Sequence, residues 1–400
     1  MQFCYCARVG AFFGAIFLIY GVHLPVLPLW LDWRGLTAAE ISIVVAVPFF
    51  LRIGVSPSVA FFSDRSGRHG RSIILLAFWS AAMAALLAQL SGFFAILLAA
   101  VALSLAMTTI MPLTEVIAVQ GVRSHGCDYG RMRLWGSLTF ILASSLASVF
   151  IGWLGVRVVV WLILAGCLIT AIAALFLPED QGASGSDVDG AAVMSLAAIR
   201  SLVLSPVFLL FLLACGLVQA AHATYYAFSA IHWSRQGLSA EVIGGLWALG
   251  VIAEIGLFAW SGAVTRRFTA GGLMIIGAAS SVVRWSAMAF DPGVGVLVVL
   301  QSLHALTFGA SHLAAIRFIS QAVDPRLAGT AQALYATTAM GVAMGAATLA
   351  SGLVYERIGG ATFLLMAAFA GVGLIAALGV LRNWDGGLLV DLERPAEARP

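Results

Sequence analysis

Long apolar runs alternate with short polar breaks along the whole chain. Twelve runs stand out, at about 8–30, 38–60, 72–90, 93–117, 131–153, 155–177, 205–230, 240–262, 271–290, 294–319, 329–352 and 359–382. Each is about 20 residues long or slightly more. That suits a helix crossing a bilayer core of roughly 30 Å, and it far exceeds a strand of a membrane β-barrel. A helix satisfies its own backbone groups in lipid, so runs of this length predict transmembrane helices. The longest polar stretch, PEDQGASGSDVDGAAVMSLAAIR at 178–200, is rich in Gly, Ser and Asp and reads as a flexible linker. It falls between the sixth and seventh runs. The expected fold is an all-α membrane protein: a six-helix bundle at 1–177, a linker at 178–204, a second six-helix bundle at 205–382 and a tail at 383–400.

Composition supports this. The chain is 62% hydrophobic and 10% charged, against roughly 25% charged in soluble domains. The first run is too long for a signal peptide and reads as a retained span. All 21 basic residues are arginine, which points to genome composition, not chemistry. Without lysine there is no Walker loop, G-x-x-x-x-G-K-[ST], and hence no ATP-driven pump within the chain. A membrane enzyme would need a metal motif such as H-E-x-x-H or a nucleophile with its base, and neither occurs. The five cysteines form no metal-ligand pattern, and the C-x-C at Cys4 and Cys6 carries little information. No metal, cofactor, nucleic acid or obligate protein partner is expected; the expected partners are a small solute, protons and membrane lipid.

Arginine counts orient the chain. With the N-terminus inside, the inner segments hold fourteen arginines, among them Arg8, Arg65, Arg68, Arg123 and Arg131. The outer loops hold four (Arg34, Arg157, Arg235 and Arg357), and Arg52, Arg284 and Arg317 lie inside runs. Positive charge concentrates on the cytoplasmic side, so both termini and the linker are expected there.

Charges inside the runs stand out against this background. LWALGVIAEIGLFAWSG, 246–262, carries Glu254 at its centre. A charge at the middle of a membrane helix costs about 2.5–3.5 kcal/mol even on mild insertion scales. The buried ionisable set is His23, Arg52, Glu115, His222, Glu254, Arg284, His304, His312 and Arg317. Such groups are usually inward-facing, paired and functional. Glu254 and Arg284 form the leading pair, either a switch released by protonation or a permanent structural ion pair. His304 titrates near neutrality and can take part in coupling. Arg52 lines a cavity or bonds backbone carbonyls. His23 and His222 sit in the first and seventh runs, placed to bond substrate or to fix helix contacts. Tyr20, Tyr225, Tyr226 and Phe228 supply an aromatic wall or core packing. Buried arginines (Arg52, Arg133, Arg284) can receive a carboxylate, and aromatic rings can stack on a ring.

The loop after the second run reads AFFSDRSGRHGR, 60–71. It resembles the G-x-x-x-D-R-x-G-R-R loop of the major facilitator superfamily. Asp64, Arg65, Gly67 and Arg68 match, while Ala60 replaces the leading glycine and His69 the last basic position. The resemblance implies two pseudo-symmetric six-helix halves with substrate near the midplane. It also implies a gating role for Asp64, Arg65, Gly67 and Arg68, with Asp64 pairing arginines or a helix N-terminus of the other half.

Further stretches resemble the subgroup of lactose permeases, nucleoside:proton symporters and phenylpropionate permeases, most of all the last. They include YGVHLPVLPLWL (20–31), MPLTEVIA (111–118), YGRMRLWGS (129–137) and LHALTFGASHLAAIRFI (303–319). By this resemblance Glu115 and Arg133 grip the substrate, while Glu254, Arg284 and His304 couple the proton; His23, Arg52, His222 and Tyr225 are further substrate-binding candidates from the buried polar and aromatic set. Lactose permeases carry a carboxylate three residues after that histidine, where this chain has Thr307, so proton carriage is expected to fall on Glu254. The expected function is a proton-coupled symporter in a bacterial inner membrane, importing a small organic solute such as an aromatic carboxylate. A nucleoside or sugar symporter and a drug efflux antiporter are the alternatives.

The orientation is directly testable. A reporter active only in the cytoplasm, fused after Pro400, is expected to be active; activity only from an exported reporter would overturn it.

Overall fold

The structure is a computed structural model and describes residues 2–178 and 196–390. Residues 179–195 of the expected linker, and Arg394 and Arg399 of the tail, lie outside the described residues. The elements are α1 (Gln2–Trp33), α2 (Ala38–Ser66), α3 (His69–Leu87), α4 (Phe93–His125), α5 (Tyr129–Leu154), α6 (Val159–Ala174), α7 (Leu196–Leu204), α8 (Pro206–Ala220), α9 (Ala223–Arg235), α10 (Ala240–Ala259), α11 (Ser261–Arg267), α12 (Ala270–Met288), α13 (Val294–Ser302), α14 (Ser311–Ala322), α15 (Ala328–Tyr335), α16 (Met344–Ile358) and α17 (Phe363–Asn383). π-Helical turns, Ala305–Ala310 and Ala336–Ala343, join α13 to α14 and α15 to α16.

The hydropathy pattern and the helices agree. Among the described residues, ten helical stretches are long and apolar enough to cross a membrane, and α11 with α12, bent by 108°, adds an eleventh. The stretch Pro325–Asn383 has 59 residues. At 1.5 Å per residue it would run roughly 90 Å, three bilayer cores end to end. It turns instead at Gly359, whose φ of 53° suits a residue without Cβ. It therefore supplies two spans, and the count is twelve. The fold is an all-α membrane protein.

Local chemistry sets the helix ends. Thr37 and Glu40 form a reciprocal capping box at the start of α2. The Ala38 amide there donates to Glu356 at 2.8 Å, placing a carboxylate at the positive end of the helix. Gly67 ends α2 in the left-handed region (φ 62°), and its N–H returns to the Asp64 carbonyl. Asp128 caps α5 by accepting from the Arg131 amide at 2.9 Å.

The chain divides into two compact units. The first comprises Met1–Ser184, Tyr225–Val251 and Thr348–Gly359; the second comprises Gly185–Thr224, Ile252–Ala347 and Gly360–Pro400. The core of the first packs Phe12, Phe13 and Ile16 of α1 on Ile73 of α3 and on Ile110, Leu113 and Ile117 of α4. The core of the second packs Phe208 and Phe211 of α8 on Phe318 of α14, Leu273 of α12 and Val380 of α17. Leu202 of α7 is fully buried in this second core. The last nine residues of the expected linker thus form a helix, Leu196–Leu204.

Within the first unit, two contacts depend on missing side chains. A Cβ on Gly244 would lie 1.9 Å from Ser148 Oγ, and one on Gly352 would lie 2.1 Å from Ser42 Oγ. Small residues let membrane helices approach this closely. An added side chain at Gly244 has no room. Gly244→Leu is expected to destabilise this arrangement by about 1–3 kcal/mol, in the range of overpacked cores. It should show as a lower melting midpoint of the purified protein. Gly245→Leu, where a Cβ meets nothing within 4 Å, should leave the midpoint unchanged.

Candidate functional site

The second unit collects one polar cluster around Arg284, which is 0% exposed. A guanidinium has donors and no acceptor, so the directions of its bonds follow. Its Nη1 donates to His304 Nδ1 at 3.1 Å and to Thr307 Oγ1 at 3.0 Å, and its Nη2 donates to Gln301 Oε1 at 2.7 Å. The Arg284 guanidinium also lies 4.4 Å from the Trp285 ring centre, a cation–π distance.

These acceptors fix the protons around them. Because His304 accepts at Nδ1, its proton sits on Nε2, which faces Glu254 Oε2 at 3.5 Å. Because Thr307 accepts from Arg284, its own hydrogen is free for His222 Nε2 at 3.1 Å. His222 then donates from Nδ1 to the carbonyls of Val218 at 3.1 Å and Gln219 at 3.2 Å. Glu254, His304 and Arg284 therefore form a line, with the imidazole in contact with both charged groups. His222 belongs to the same network and is fully buried. Glu254 is the most accessible member, its side chain 21% exposed against 9% for His304.

The backbone that presents these groups is irregular. Thr307 lies in the π-helical turn Ala305–Ala310, directly after His304; such turns recur at functional sites. The rings of His304, Phe308 and His312 stack in sequence, at 5.3 Å and then 6.2 Å. Gly309 lets α10 come close: a Cβ there would lie 2.7 Å from Leu257 and 3.8 Å from Glu254 Cγ. Arg317 lies apart from the cluster and donates to the Thr265 and Phe268 carbonyls beside α11.

The first unit carries a second cluster, less deeply buried. Arg133 on α5 lies 4.1 Å from the Phe17 ring centre and 5.8 Å from that of Phe13. The Tyr129 hydroxyl, one turn earlier, is within interaction range of both Glu115 and Arg133; the two charged groups, both among the described residues, form no ion pair with each other. Arg52 on α2 lies 5.1 Å from the Phe49 ring centre. Tyr20, which donates to the Met107 carbonyl at 2.9 Å, is close to both Arg52 and Arg133. His23 Nε2 lies 3.3 Å from Ser104 Oγ. Arg52, Arg133, Glu115 and His23 are all half-buried. Two guanidinium groups among aromatic rings can receive a carboxylate attached to a ring. Tyr225, also in this unit, is buried and stacks on Trp247 at 4.4 Å.

In the loop after α2, Asp64 Oδ1 meets His69 Nε2 at 2.6 Å. The histidine that replaces a basic residue of the superfamily motif is thus the aspartate's partner, at the first residue of α3. Arg65 and Arg68 point outward and are exposed.

Five participants are not marked by the sequence: Gln301, Tyr129, Phe13, Phe17 and Phe49. Gln301 and Thr307 sit three residues either side of His304, on one helix face. Tyr129 is four residues before Arg133. Helical spacing from a known ionisable residue was the available signal.

Comparison with known proteins agrees with this architecture. Residues 9–366 match the model of the MFS_1 like family. The chain is 32% identical over 368 residues to the probable 3-phenylpropionic acid transporter of Escherichia coli (strain K12), covering 88% of this chain and 92% of that one. It is 27% identical over 378 residues to the maltose permease of Geobacillus stearothermophilus, covering 92% of each. The crystal structure of nucleoside transporter NupG shares the fold with a TM-score of 0.80 at 17% identity, over 95% of this chain and 99% of that one. The protein is a multi-pass membrane transporter and belongs to the MFS_1 like family, within the major facilitator superfamily.

Proposed function

We propose that the protein is a proton-coupled symporter that imports a small aromatic carboxylate such as 3-phenylpropionate across a bacterial inner membrane, with both termini cytoplasmic. The observation that carries the coupling is the line Arg284–His304–Glu254. Arg284 occupies the only lone pair of a neutral His304, at Nδ1. A second proton on that ring would have to displace the guanidinium and sit beside its charge, so the imidazole stays neutral and passes the influence of Arg284 to Glu254. Glu254 is left as the group that takes and releases the proton. Thr307 supports this, since it offers Arg284 a neutral hydroxyl and no competing acid.

The substrate reading rests on the first unit. Arg133 and Arg52 supply positive charge, Phe13, Phe17 and Phe49 supply ring faces, and Tyr129 and Glu115 orient Arg133. This set suits a carboxylate joined to an aromatic ring, the chemistry in the name of the 3-phenylpropionic acid relative. Asp64 with His69, Gly67, Arg65 and Arg68 is assigned to gating.

Two variants test the assignments. Glu254→Gln mimics the protonated acid. In proteoliposomes it should still exchange 3-phenylpropionate, but a proton gradient should no longer drive accumulation above the external concentration. Uphill accumulation at a normal rate would return Glu254 to a structural role. Arg133→Gln removes a charge-assisted contact worth about 1.5–3 kcal/mol, so 3-phenylpropionate should bind roughly 10–100-fold more weakly by calorimetry. Unchanged affinity would remove Arg133 from the substrate site. If maltose or a nucleoside bound the wild type and 3-phenylpropionate did not, the substrate class would be wrong while the coupling assignment stood.

A further inference from the structure

Cys6, near the start of α1, is bonded to Cys127 in the loop between α4 and α5, with Cα atoms 5.6 Å apart and a sequence separation of 121. The bond is part of a larger clasp. The Tyr5 hydroxyl donates to the Ile117 carbonyl at 3.0 Å, and the Tyr5 ring stacks on His125 at 4.2 Å. Gly121 makes room: a Cβ there would lie 2.5 Å from the Tyr5 ring and 3.5 Å from Cys127 Sγ. The Cys127 amide returns to the Gly121 carbonyl at 3.2 Å. The next residue, Asp128, caps α5, and the first five residues of α5 include Tyr129 and Arg133. The clasp thus ties α1 to the end of the helix that bears Glu115 and to the start of the helix that bears Arg133.

Two features make this bond more than a staple. First, it borders a cleft, with Cys6 half-buried and Cys127 5% exposed. An open cleft of about 720 Å³ is lined by both cysteines together with Asp128, Arg131, Met132 and Trp135. Arg131 gives that cleft a positive charge, which favours thiolate attack. Second, Arg8, Arg123 and Arg131 flank the two cysteines in sequence, the arginine density expected of the cytoplasmic side. Disulfides that form in a reducing cytoplasm are transient and serve catalysis or redox sensing.

We infer that Cys6 and Cys127 are a thiol–disulfide exchange site whose oxidation fixes the start of α5, and with it Tyr129 and Arg133. The co-reactant is a low-molecular-weight disulfide of the glutathione type. One protein thiolate attacks it, forming a mixed disulfide and releasing one small thiolate. The second protein thiolate attacks the protein sulfur of that intermediate, closing the Cys6–Cys127 bond and releasing the other. Two electrons pass from the cysteines to the small disulfide, and the two cysteine protons end on the two released thiols. Reduction reverses each step.

The test uses the full chain in lipid nanodiscs, equilibrated with buffers from fully reduced to fully oxidised glutathione. Two readouts need no substrate. Intact mass after maleimide treatment counts free thiols, and hydrogen–deuterium exchange reports on residues 127–133. Between the reduced and oxidised ends the wild type should lose two reactive thiols, and exchange at 127–133 should slow by about tenfold or more, as expected when local opening is suppressed. Cys6→Ser and Cys127→Ser should abolish both responses. In intact cells, a membrane-permeant maleimide should label the reduced pair and an impermeant one should not. The inference is overturned if wild-type protein keeps the same thiol count at every poise, if two thiols are lost while exchange is unchanged, or if the impermeant reagent labels the pair. Failure of 3-phenylpropionate to bind would sink the substrate reading above and leave these readouts untouched.

Discussion

A fully buried guanidinium is the constraint around which the second unit is arranged. Arg284 has no access to water, and an uncompensated charge in that position costs several kcal/mol. Compensation has to come from acceptors, because arginine offers only donors. Gln301, His304 and Thr307 all come from one stretch of chain, α13 and the π-turn after it. The wide turn and the absence of a side chain at Gly309 let α12, α10 and this stretch converge. The proton positions on His304, Thr307 and His222 then follow from the one charge. A single arginine thereby sets the tautomers of two histidines, and leaves Glu254 as the group that meets solvent.

The two clusters differ in burial, and the difference matches their chemistry. Arg284, Thr307, Gln301 and His222 are fully buried, so bonds among them are strengthened by a low dielectric and are rigid. A network of this kind suits the transmission of a charge change. Arg52, Arg133, Glu115 and His23 are half-buried and flanked by ring faces. There the guanidinium groups of Arg52 and Arg133 lie against the rings of Phe49 and of Phe13 and Phe17. Each charge is held partly by cation–π contact, an interaction that leaves the N–H edge of the guanidinium open.

The resemblance to superfamily motifs carried real information, and the departures from it carried more. Asp64 keeps its place in the loop after α2, yet its near partner is His69, where the family has a basic residue of fixed charge. Thr307 stands where lactose permeases have a carboxylate, and it accepts from Arg284 and faces His222. The first replaces a fixed charge with a titratable ring, and the second replaces a titratable carboxyl with a neutral hydroxyl.

Much of the architecture was legible in the sequence, because lipid leaves few choices. An apolar run of 20 residues has to be a helix whose own backbone groups are paired, so twelve runs gave twelve spans, and the rare charges inside them marked the sites. Glu254, Arg284 and His304 were found that way, each as an exception to its apolar surroundings. The order in which they touch was not legible. Their separations along the chain, 30 residues and then 20, say nothing of which side chain lies in the middle; only the convergence of α10, α12 and the π-turn placed the imidazole in contact with both charges. Gln301 and Tyr129 were missed for a related reason: a neutral polar side chain raises no alarm in a run until its neighbour across the helix contact is known. The Cys6–Cys127 bond was hidden most completely, since its ends are 121 positions apart in sequence. Composition and hydropathy are local properties of the chain and fix what must lie in the membrane. Partners are decided by distances between helices, and those exist only once the chain has folded.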